Sequence, residues 1–213
     1  APQLDLISPD NGASLAAFEG WLSAETTTKL FKLGGVDPAV MEQAKKKGFK
    51  AVPLNVKTSV AINNKFRKSS SNNVIAKLPG SERPEETIIY TAHWDHLGIG
   101  EAVNGDSIYN GAIDNAAGVA ALFEIAKAFK AAKVKPARSI VFLAVTAEEE
   151  GLLGSAYYSK NPIFPLNKTV ANLNMDAFSP LGETKEVSVV GLGQTELEDY
   201  VEKSAARFGR TMQ

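Results

Sequence analysis

Short apolar runs alternate with longer amphipathic stretches from residue 73 of the chain onward. Residues 73–78 and 86–92 are rich in β-branched and apolar side chains. A turn containing proline, glycine and serine separates them, which predicts two neighbouring antiparallel strands. Residues 115–132 repeat apolar positions at the spacing of a helix. Residues 138–147 form one continuous apolar run, which is typical of a central strand covered on both faces.

Four further segments continue the alternation as a helix, two strands and a final helix: 151–160, 168–176, 186–193 and 195–208. The final helix opens with a capping box, in which the side chains of Thr195 and Glu198 each accept a hydrogen bond from the other's backbone, and it stops at Gly209. Strands that alternate with helices in this manner predict an α/β layered fold with a mixed sheet.

The first 70 residues follow a different pattern. Ser23 is the predicted N-cap of a short helix that stops at the glycine pair 34–35. A second helix is predicted between Asp37 and Gly48, because the proline that follows Asp37 favours the first helical position. Residues 52–62 alternate apolar and polar side chains and therefore predict a strand.

A basic, serine-rich connector at residues 65–73 separates these two patterns. Its polar composition is that of a solvated loop. We therefore divide the chain into two parts. Residues 1–66 form a peripheral N-terminal segment of helices and a strand, and residues 67–213 form the α/β domain.

The composition narrows the classes of function. Hydrophobic residues make up 44% of the chain and charged residues 22%, which is ordinary for a globular domain. The 23 basic and 24 acidic residues give a net charge of −1, so neither a nucleic acid nor a membrane is expected as a partner. No apolar run is long enough for a transmembrane helix, and the first residues do not resemble a signal peptide. Cysteine is absent, so any metal must be held by His, Asp and Glu.

Histidine occurs only twice, at positions 93 and 96, directly after the predicted strand 86–92. In open α/β sheets, functional sites collect at the carboxyl ends of the strands. Acidic residues occupy comparable places at the ends of other predicted elements: Glu148 to Glu150 after strand 138–147, Asp176 after strand 168–175, and Asp114 before helix 115–132. We therefore expect four segments to deliver imidazole and carboxylate groups to one edge of the sheet.

Carboxylates that converge on one edge repel one another unless a cation lies between them. Imidazole and carboxylate groups without thiolates suit zinc in a hydrolytic site, or manganese or cobalt. Each residue also has a structural interpretation. Asp114 could cap a helix, the three glutamates could form a solvated first helical turn, Asp176 could sit in a turn, and His93 could be a buried structural histidine. Their convergence favours a metal site.

Four motifs, in the order TAHWDHLG, NGAIDNAAG, TAEEEGLLGS and NLNMD, resemble the zinc aminopeptidase family with two co-catalytic metals. That family includes bacterial leucyl aminopeptidases, glutamate carboxypeptidase and glutaminyl cyclase. The resemblance covers about residues 70–190. It implies a three-layer sandwich of the phosphorylase/hydrolase type, with a mixed, mostly parallel sheet between helices. Residues 20–62 resemble, more weakly, the junction to a protease-associated insert domain.

The resemblance also implies the metal ligands. His93 and Asp176 match the ligands of the first zinc, and Glu149 matches a ligand of the second. Asp114 matches the aspartate that bridges both ions. A single anion shared by two dications reduces their mutual repulsion.

Two further roles follow from the same resemblance. Glu148 matches the general base, and Asp95 matches an acid whose carboxylate accepts the other ring N–H of His93 and fixes its tautomer. Glu150 falls where the family varies, and we expect it to be solvated. The bridging aspartate of the family precedes a cis peptide bond, so a cis bond is expected between Asp114 and Asn115.

The sequence departs from the family pattern in one respect. The second zinc of the family needs a histidine well after the NLNMD motif, and this sequence has none after His96. The resemblance therefore implies a fragment truncated at the C-terminus, which binds one zinc tightly or none and has negligible activity by itself. His96 occupies a position where many family members have a small polar residue. We expect it to pack or hydrogen-bond within its loop, with direct metal contact as the alternative.

These observations predict a metal-dependent exopeptidase of the aminopeptidase type, which hydrolyses N-terminal peptide bonds through a metal-activated water. Peptides are the expected partners, two zinc ions are expected in a complete active site, and the resemblance implies a secreted or periplasmic protein. Two alternatives remain: a non-catalytic scaffold with the same fold, and a carboxypeptidase or cyclase of the same family. The presence of the base and of all four ligands available in this sequence disfavours the scaffold.

Overall fold

A computed structural model of the chain describes residues 4–7, 10, 13, 16, 19–180 and 182–213. The chain forms two compact units, one built mainly from residues 70–213 and the other from residues between 7 and 69. Among the described residues, no helix combines the length and the apolar character needed to cross a lipid bilayer.

The smaller unit contains two helices, α1 (Ala24–Leu33) and α2 (Val40–Gln43). The predicted N-cap is confirmed, because the Ser23 side chain accepts a hydrogen bond from the backbone N–H of Thr26. Helix α2 is a single helical turn followed by irregular turns as far as Gly48, so it is shorter than expected. None of its residues is buried, so no packed face extends it.

The strand predicted at residues 52–62 was wrong. This segment has no strand pairing, and its side chains are exposed or only half-buried. Asn55 adopts a positive φ of 53°, which interrupts an extended conformation. Alternating apolar residues do not form a strand without a partner that satisfies the backbone hydrogen bonds.

A four-stranded mixed sheet forms the centre of the larger unit, in the order β1-β5-β2-β6. Its strands are β1 (Val74–Leu78), β2 (Arg83–His93), β5 (Arg138–Val145) and β6 (Thr169–Asn174). Strand β2 runs parallel to both β5 and β6, whereas β1 runs antiparallel to β5. The predicted mixed, mostly parallel sheet is therefore confirmed. The expectation that β1 and β2 are neighbours was wrong, because β5 lies between them.

Helices cover both faces of this sheet. Ile89 of β2 and Val141 of β5 are paired in register and pack with Tyr158 of helix α4 (Leu153–Lys160) in the core. Tyr90 points to the opposite face, because side chains alternate along a strand, and its ring contacts Phe129 of helix α3 (Ala117–Ala131). Strand β5 is mostly buried, as its continuous apolar sequence predicted.

Two short strand pairs lie outside the central sheet: β3 (Gly98–Val103) with β4 (Asp106–Tyr109), and β7 (Glu186–Val187) with β8 (Thr211–Met212). The other helical elements are a π-helical turn (Ala112–Ala116), a 3₁₀ turn (Leu166–Lys168) and helix α5 (Leu197–Arg207). The strand predicted at 186–193 is thus only two residues long.

One half of the capping box predicted at the start of α5 is confirmed, because the Glu198 carboxylate accepts from the backbone N–H of Thr195 at 3.1 Å. It also accepts from two preceding N–H groups, and these hydrogen bonds lower the pKa of the Glu198 carboxyl.

Candidate metal centre

The carboxyl ends of three parallel strands place the candidate residues at one edge of the sheet. His93 is the last residue of β2, the glutamates at 148 and 149 follow β5, and Asp176 follows β6 by two residues. Asp114 reaches the same edge from the π-helical turn before α3. The structure therefore brings together the residues that the sequence assigned to the site.

His93 is the buried centre of this cluster, with its side chain 2% exposed. Its Nδ1 lies 2.9 Å from the backbone carbonyl of Asp95. A carbonyl only accepts hydrogen bonds, so Nδ1 carries the proton and, in the neutral ring, Nε2 carries a lone pair. Among the described residues, Nε2 has no hydrogen-bond partner.

Two carboxylate oxygens lie close to this Nε2 atom, Oδ1 of Asp114 at 2.9 Å and Oδ1 of Asp176 at 3.3 Å. A lone pair and two anionic oxygens repel one another, so this arrangement requires either a proton on Nε2 or a cation between the three groups. His93, Asp114 and Asp176 each offer a ligand atom, and these atoms lie within 4.8 Å of one another. One imidazole and two carboxylates form a donor set that fits zinc.

The electrostatic environment shifts the pKa of two groups in the cluster. Burial by itself lowers the pKa of His93, but the hydrogen bond to the Asp95 carbonyl and the surrounding carboxylates outweigh burial, so the pKa is raised. Burial raises the pKa of Glu148, and the carboxylates of Asp176 and Glu149 raise it further against the opposing effect of His93. A cluster that holds carboxylates this close together favours the uptake of positive charge.

Asp95 takes part in the site, but in a different way from the one that the sequence suggested. Its backbone carbonyl, and not its carboxylate, accepts from His93; the carboxylate oxygen Oδ1 lies 3.8 Å from Nδ1. The carboxylate instead accepts from the backbone N–H groups of Glu148 at 3.1 Å and Glu149 at 3.4 Å. Asp95 therefore connects the end of β2 to the corner after β5.

The two glutamates at that corner have different surroundings. The Oε2 atom of Glu148 lies 3.8 Å from His93 Nε2, beside the three-residue group but outside it. Glu149 lies in a second group of possible ligands, with His96 and Asp114. Gly154 allows the chain to turn this sharply, because a Cβ atom there would clash with the carbonyl oxygen of Thr146. Glu150 is exposed and lies in neither group, as expected.

Asn115 is a structural residue of the site that the sequence reasoning missed. Its side chain is 1% exposed, its Nδ2 donates to the carbonyl of Met175 at 2.9 Å, and its Oδ1 accepts from the N–H of Gly118 at 3.0 Å. It thus connects the turn that carries Asp114 to the segment that carries Asp176. The only signal in the sequence was an amide beside Asp114 at the start of an apolar helix. The expected cis bond between Asp114 and Asn115 is present.

Asn115→Ala should lower both the stability of the larger unit and its affinity for zinc. The substitution leaves the Gly118 N–H and the Met175 carbonyl without their partner, at a cost of about 1–3 kcal/mol for each buried group. Thermal unfolding and calorimetric zinc titration measure the two effects. Asn161→Ala, on the exposed end of α4, is the control and should change neither. Unchanged zinc affinity in a folded Asn115→Ala variant would contradict a positioning role.

An α/β sheet whose parallel strands end in one imidazole and several carboxylates is typical of hydrolases with a metal site. Residues 73–213 match the family model described as Peptidase family M28, and the chain belongs to that family. This match includes every residue of the cluster described above.

Individual relatives are similar over parts of their length. Aminopeptidase NAALADL1 of Mus musculus is 30% identical over 179 residues, which cover 81% of this chain and 20% of that protein. The Glutamate carboxypeptidase 2 homolog of Caenorhabditis elegans is 35% identical over 125 residues, covering 56% of this chain and 15% of that protein. The structure of BSAP, a zinc aminopeptidase from Bacillus subtilis, superposes with a TM-score of 0.51 at 27% identity and covers 66% of this chain and 33% of that one. The chain therefore spans a third or less of these proteins.

Proposed function

We propose that this site belongs to a metal-dependent exopeptidase of the aminopeptidase type, which hydrolyses the N-terminal peptide bond of its substrates. The observation that carries the proposal is the buried Nε2 of His93, which has no hydrogen-bond partner among the described residues and faces the carboxylates of Asp114 and Asp176. The similarity to proteins named aminopeptidase supports the choice of reaction.

His93, Asp114 and Asp176 would hold the catalytic zinc ion. A bound zinc supplies Lewis acidity, which polarises a carbonyl and lowers the pKa of water. The backbone carbonyl of Asp95 keeps the proton of the His93 ring on Nδ1, and this leaves the lone pair of Nε2 directed at the two carboxylates. The ligand set is thus preorganised by backbone and side-chain contacts.

Glu148 would act as the general base. It takes a proton from the attacking water and delivers it to the leaving amine. Its raised pKa suits this task, because a base that is too weakly basic does not hold the proton between the two steps. Asp95 acts as a positioning residue, since its carboxylate accepts from the backbone N–H groups of Glu148 and Glu149.

Three finer points are proposals that rest on the family resemblance. The complete active site would hold two zinc ions, the protein would act outside the cytoplasm in a secreted or periplasmic form, and peptides would be its partners. Because the chain spans a third or less of the relatives compared above, we assign the activity to the protein that carries this site. The expected lack of activity of residues 1–213 by themselves stays a prediction.

A carboxypeptidase is the second candidate, and the relative named glutamate carboxypeptidase favours it. Three substrates distinguish the candidates: leucine p-nitroanilide with a free amino group, its N-acetylated form, and an N-acetylated dipeptide with a free carboxylate. An aminopeptidase cleaves only the first, and a carboxypeptidase cleaves only the third. If a longer form of the protein that is shown to contain zinc cleaves none of the three, both proposals fail. The assays use residues 1–213 and any longer form of the protein that carries them.

Zinc should stabilise the fold of residues 1–213. A ligand present at 100 times its Kd adds about 2.7 kcal/mol to the free energy of unfolding, which corresponds to roughly 5–10 °C in Tm for a domain of this size. Asp176→Asn should reduce the rise, because it removes one carboxylate ligand. Differential scanning calorimetry with zinc and then with a chelator measures both effects. Asp199→Asn on helix α5 should respond like the wild type, and an equal rise in Asp176→Asn would contradict the assignment of this ligand.

A further inference from the structure

We propose that residues 44–73, the basic segment, form a binding surface for an anionic lipid bilayer. Basic side chains of the segment contact the lipid phosphates, and exposed apolar side chains enter the boundary between headgroups and acyl chains. The inference is independent of the metal centre and of the proposed reaction. It replaces the expectation, drawn from the net charge of the whole chain, that no membrane is a partner.

The net charge of −1 conceals two parts of opposite charge. Residues 7–69, which form the smaller unit, contain ten basic and five acidic residues, whereas the rest of the chain contains thirteen basic and nineteen acidic residues. The positive charge is concentrated in the basic segment, which has no acidic residue and eight basic ones: four at 45–50, Lys57, and three at 65–68. The field of these charges attracts a partner of dense negative charge.

The charges of the basic segment are exposed and almost unpaired. All eight basic residues are exposed. Among the described residues, only Lys45 has an acidic partner, Glu42, whose Oε2 lies 2.8 Å from the lysine Nζ. Both of these side chains are mostly in water, where an ion pair contributes little. The other positive charges repel one another, and a negatively charged surface relieves that repulsion.

The backbone of the basic segment leaves its side chains available to a partner. Turns at 44–48 lead into an irregular stretch that forms no strand before residue 74. The segment is held on its own unit at one point, where Leu54 lies so close to Gly34 that a Cβ atom on the glycine would clash with the leucine carbonyl. Leu54 and Val56 are half-buried, but every residue from 57 to 72 is exposed.

Exposed apolar side chains lie among these charges. Phe66 stands between Lys65 and Arg67 and is 92% exposed, and Val60 and Ile62 are both more than half exposed. Apolar groups that enter the headgroup boundary gain hydrophobic free energy, while the long stems of lysine and arginine keep their charges at the level of the phosphates. Basic and apolar side chains in one exposed segment are typical of proteins that bind the surface of a bilayer.

A nucleic acid is the competing polyanion, and the composition of the basic segment disfavours it. Seven of its eight basic residues are lysines. Lysine acts as a point charge and suits a diffuse anionic surface, whereas recognition of single phosphates and bases favours the bidentate guanidinium of arginine. Bases also stack on aromatic rings, and the aliphatic side chains of Val60 and Ile62 offer no such face. In lipid, the same side chains contribute through burial.

Co-sedimentation of residues 1–213 with lipid vesicles tests the proposal. One set of vesicles contains phosphatidylcholine alone, and the other contains about one third phosphatidylglycerol, which gives a negative surface potential. The protein should bind only the anionic vesicles. Binding should weaken as the salt concentration rises toward about 1 M, where the screening length falls to about 3 Å. Equal binding to both sets of vesicles, or binding to neither, would overturn the proposal.

Two triple variants locate the surface. One replaces the lysines at 45–47 with glutamine, and the other replaces the three basic residues at 65–68. Each should lower the partition coefficient for anionic vesicles about 100-fold, because each lysine or arginine near such a surface contributes a factor of about five. The matched control replaces Lys130, Lys133 and Lys135, which are exposed lysines of the larger unit, and should bind as the wild type does. An equal loss in the control would mean that overall charge governs binding, and the proposal would fail.

Phe66→Ser separates a bilayer from other polyanions, because it removes an apolar ring and no charge. Its ring is almost fully exposed, so Tm should not change. Binding to anionic vesicles should fall about 10-fold through the lost insertion of the ring. Val134→Ser, at an exposed valine of the larger unit, is the control and should bind normally.

Two results of this comparison count against a bilayer: vesicle binding that Phe66→Ser leaves unchanged, and tighter binding of the wild type to a DNA duplex than to anionic vesicles. All of these measurements are made with a chelator present. Their outcome therefore does not depend on zinc, and failure of this inference leaves the proposed function untouched.

Discussion

Glu148→Gln should lower kcat for peptide hydrolysis by about 10²–10⁴-fold and leave zinc binding unchanged. The structure separates these two effects, because the Glu148 carboxylate belongs to neither of the two groups of ligand atoms. It lies 3.8 Å from Nε2 of His93, close enough to serve the reacting atoms but outside the set that holds the ion. Glutamine has nearly the same size and cannot take a proton, so only the acid–base function is removed.

The measurement compares kcat with the zinc affinity of the same variant, in an active form of the protein that carries residues 1–213. Glu150→Gln is the matched control, since it changes an exposed glutamate two residues away and should keep kcat. Near-normal turnover in Glu148→Gln would remove Glu148 from the mechanism. Loss of zinc together with loss of activity would instead make it a ligand.

The sequence predicted those parts of the fold that depend on local pattern. Strand β5 was predicted because its apolar run is continuous, and helix α3 because its apolar positions repeat at helical spacing. The neighbour of β1 was not predictable in this way, because β1 pairs with β5, a strand about 60 residues later in the chain. The segment 52–62 failed for a related reason, since a strand exists only with a partner, and no local pattern supplies one.

The residues of the site were likewise predictable where they depend on local sequence, and not where they depend on contacts between distant segments. The positions of His93 and Asp176 followed from the rule that strand ends collect functional groups. The role of Asp95 did not, because a backbone carbonyl leaves no trace in residue identity, and the motif favoured the carboxylate instead. The contact of His96 with Glu149 crosses 53 positions, so the sequence could assign His96 only to its own loop.

Asp114→Asn should remove tight zinc binding from residues 1–213, the largest effect that we expect one substitution to have on this site. The other residues of the two groups of possible ligands each belong to one group only, whereas the Asp114 carboxylate is common to both. Asparagine keeps the size of the side chain and removes its charge. We expect zinc to bind at least about 100-fold more weakly, which corresponds to a loss of about 2.7 kcal/mol of binding free energy. Asp176→Asn should weaken zinc binding too, because it removes a carboxylate from the group that contains His93.

The fold should tolerate this substitution, because the Asp114 side chain is 48% exposed and Asn115, not Asp114, makes the hydrogen bonds that fix the turn. Removal of a negative charge also relieves repulsion in the metal-free site, so the Tm without zinc should be equal to or above that of the wild type. Zinc titration by calorimetry and thermal unfolding with and without zinc measure these effects, with Asp106→Asn on the β4 strand as the control. If Asp114→Asn retains the zinc affinity of the wild type, Asp114 is not a ligand of the ion.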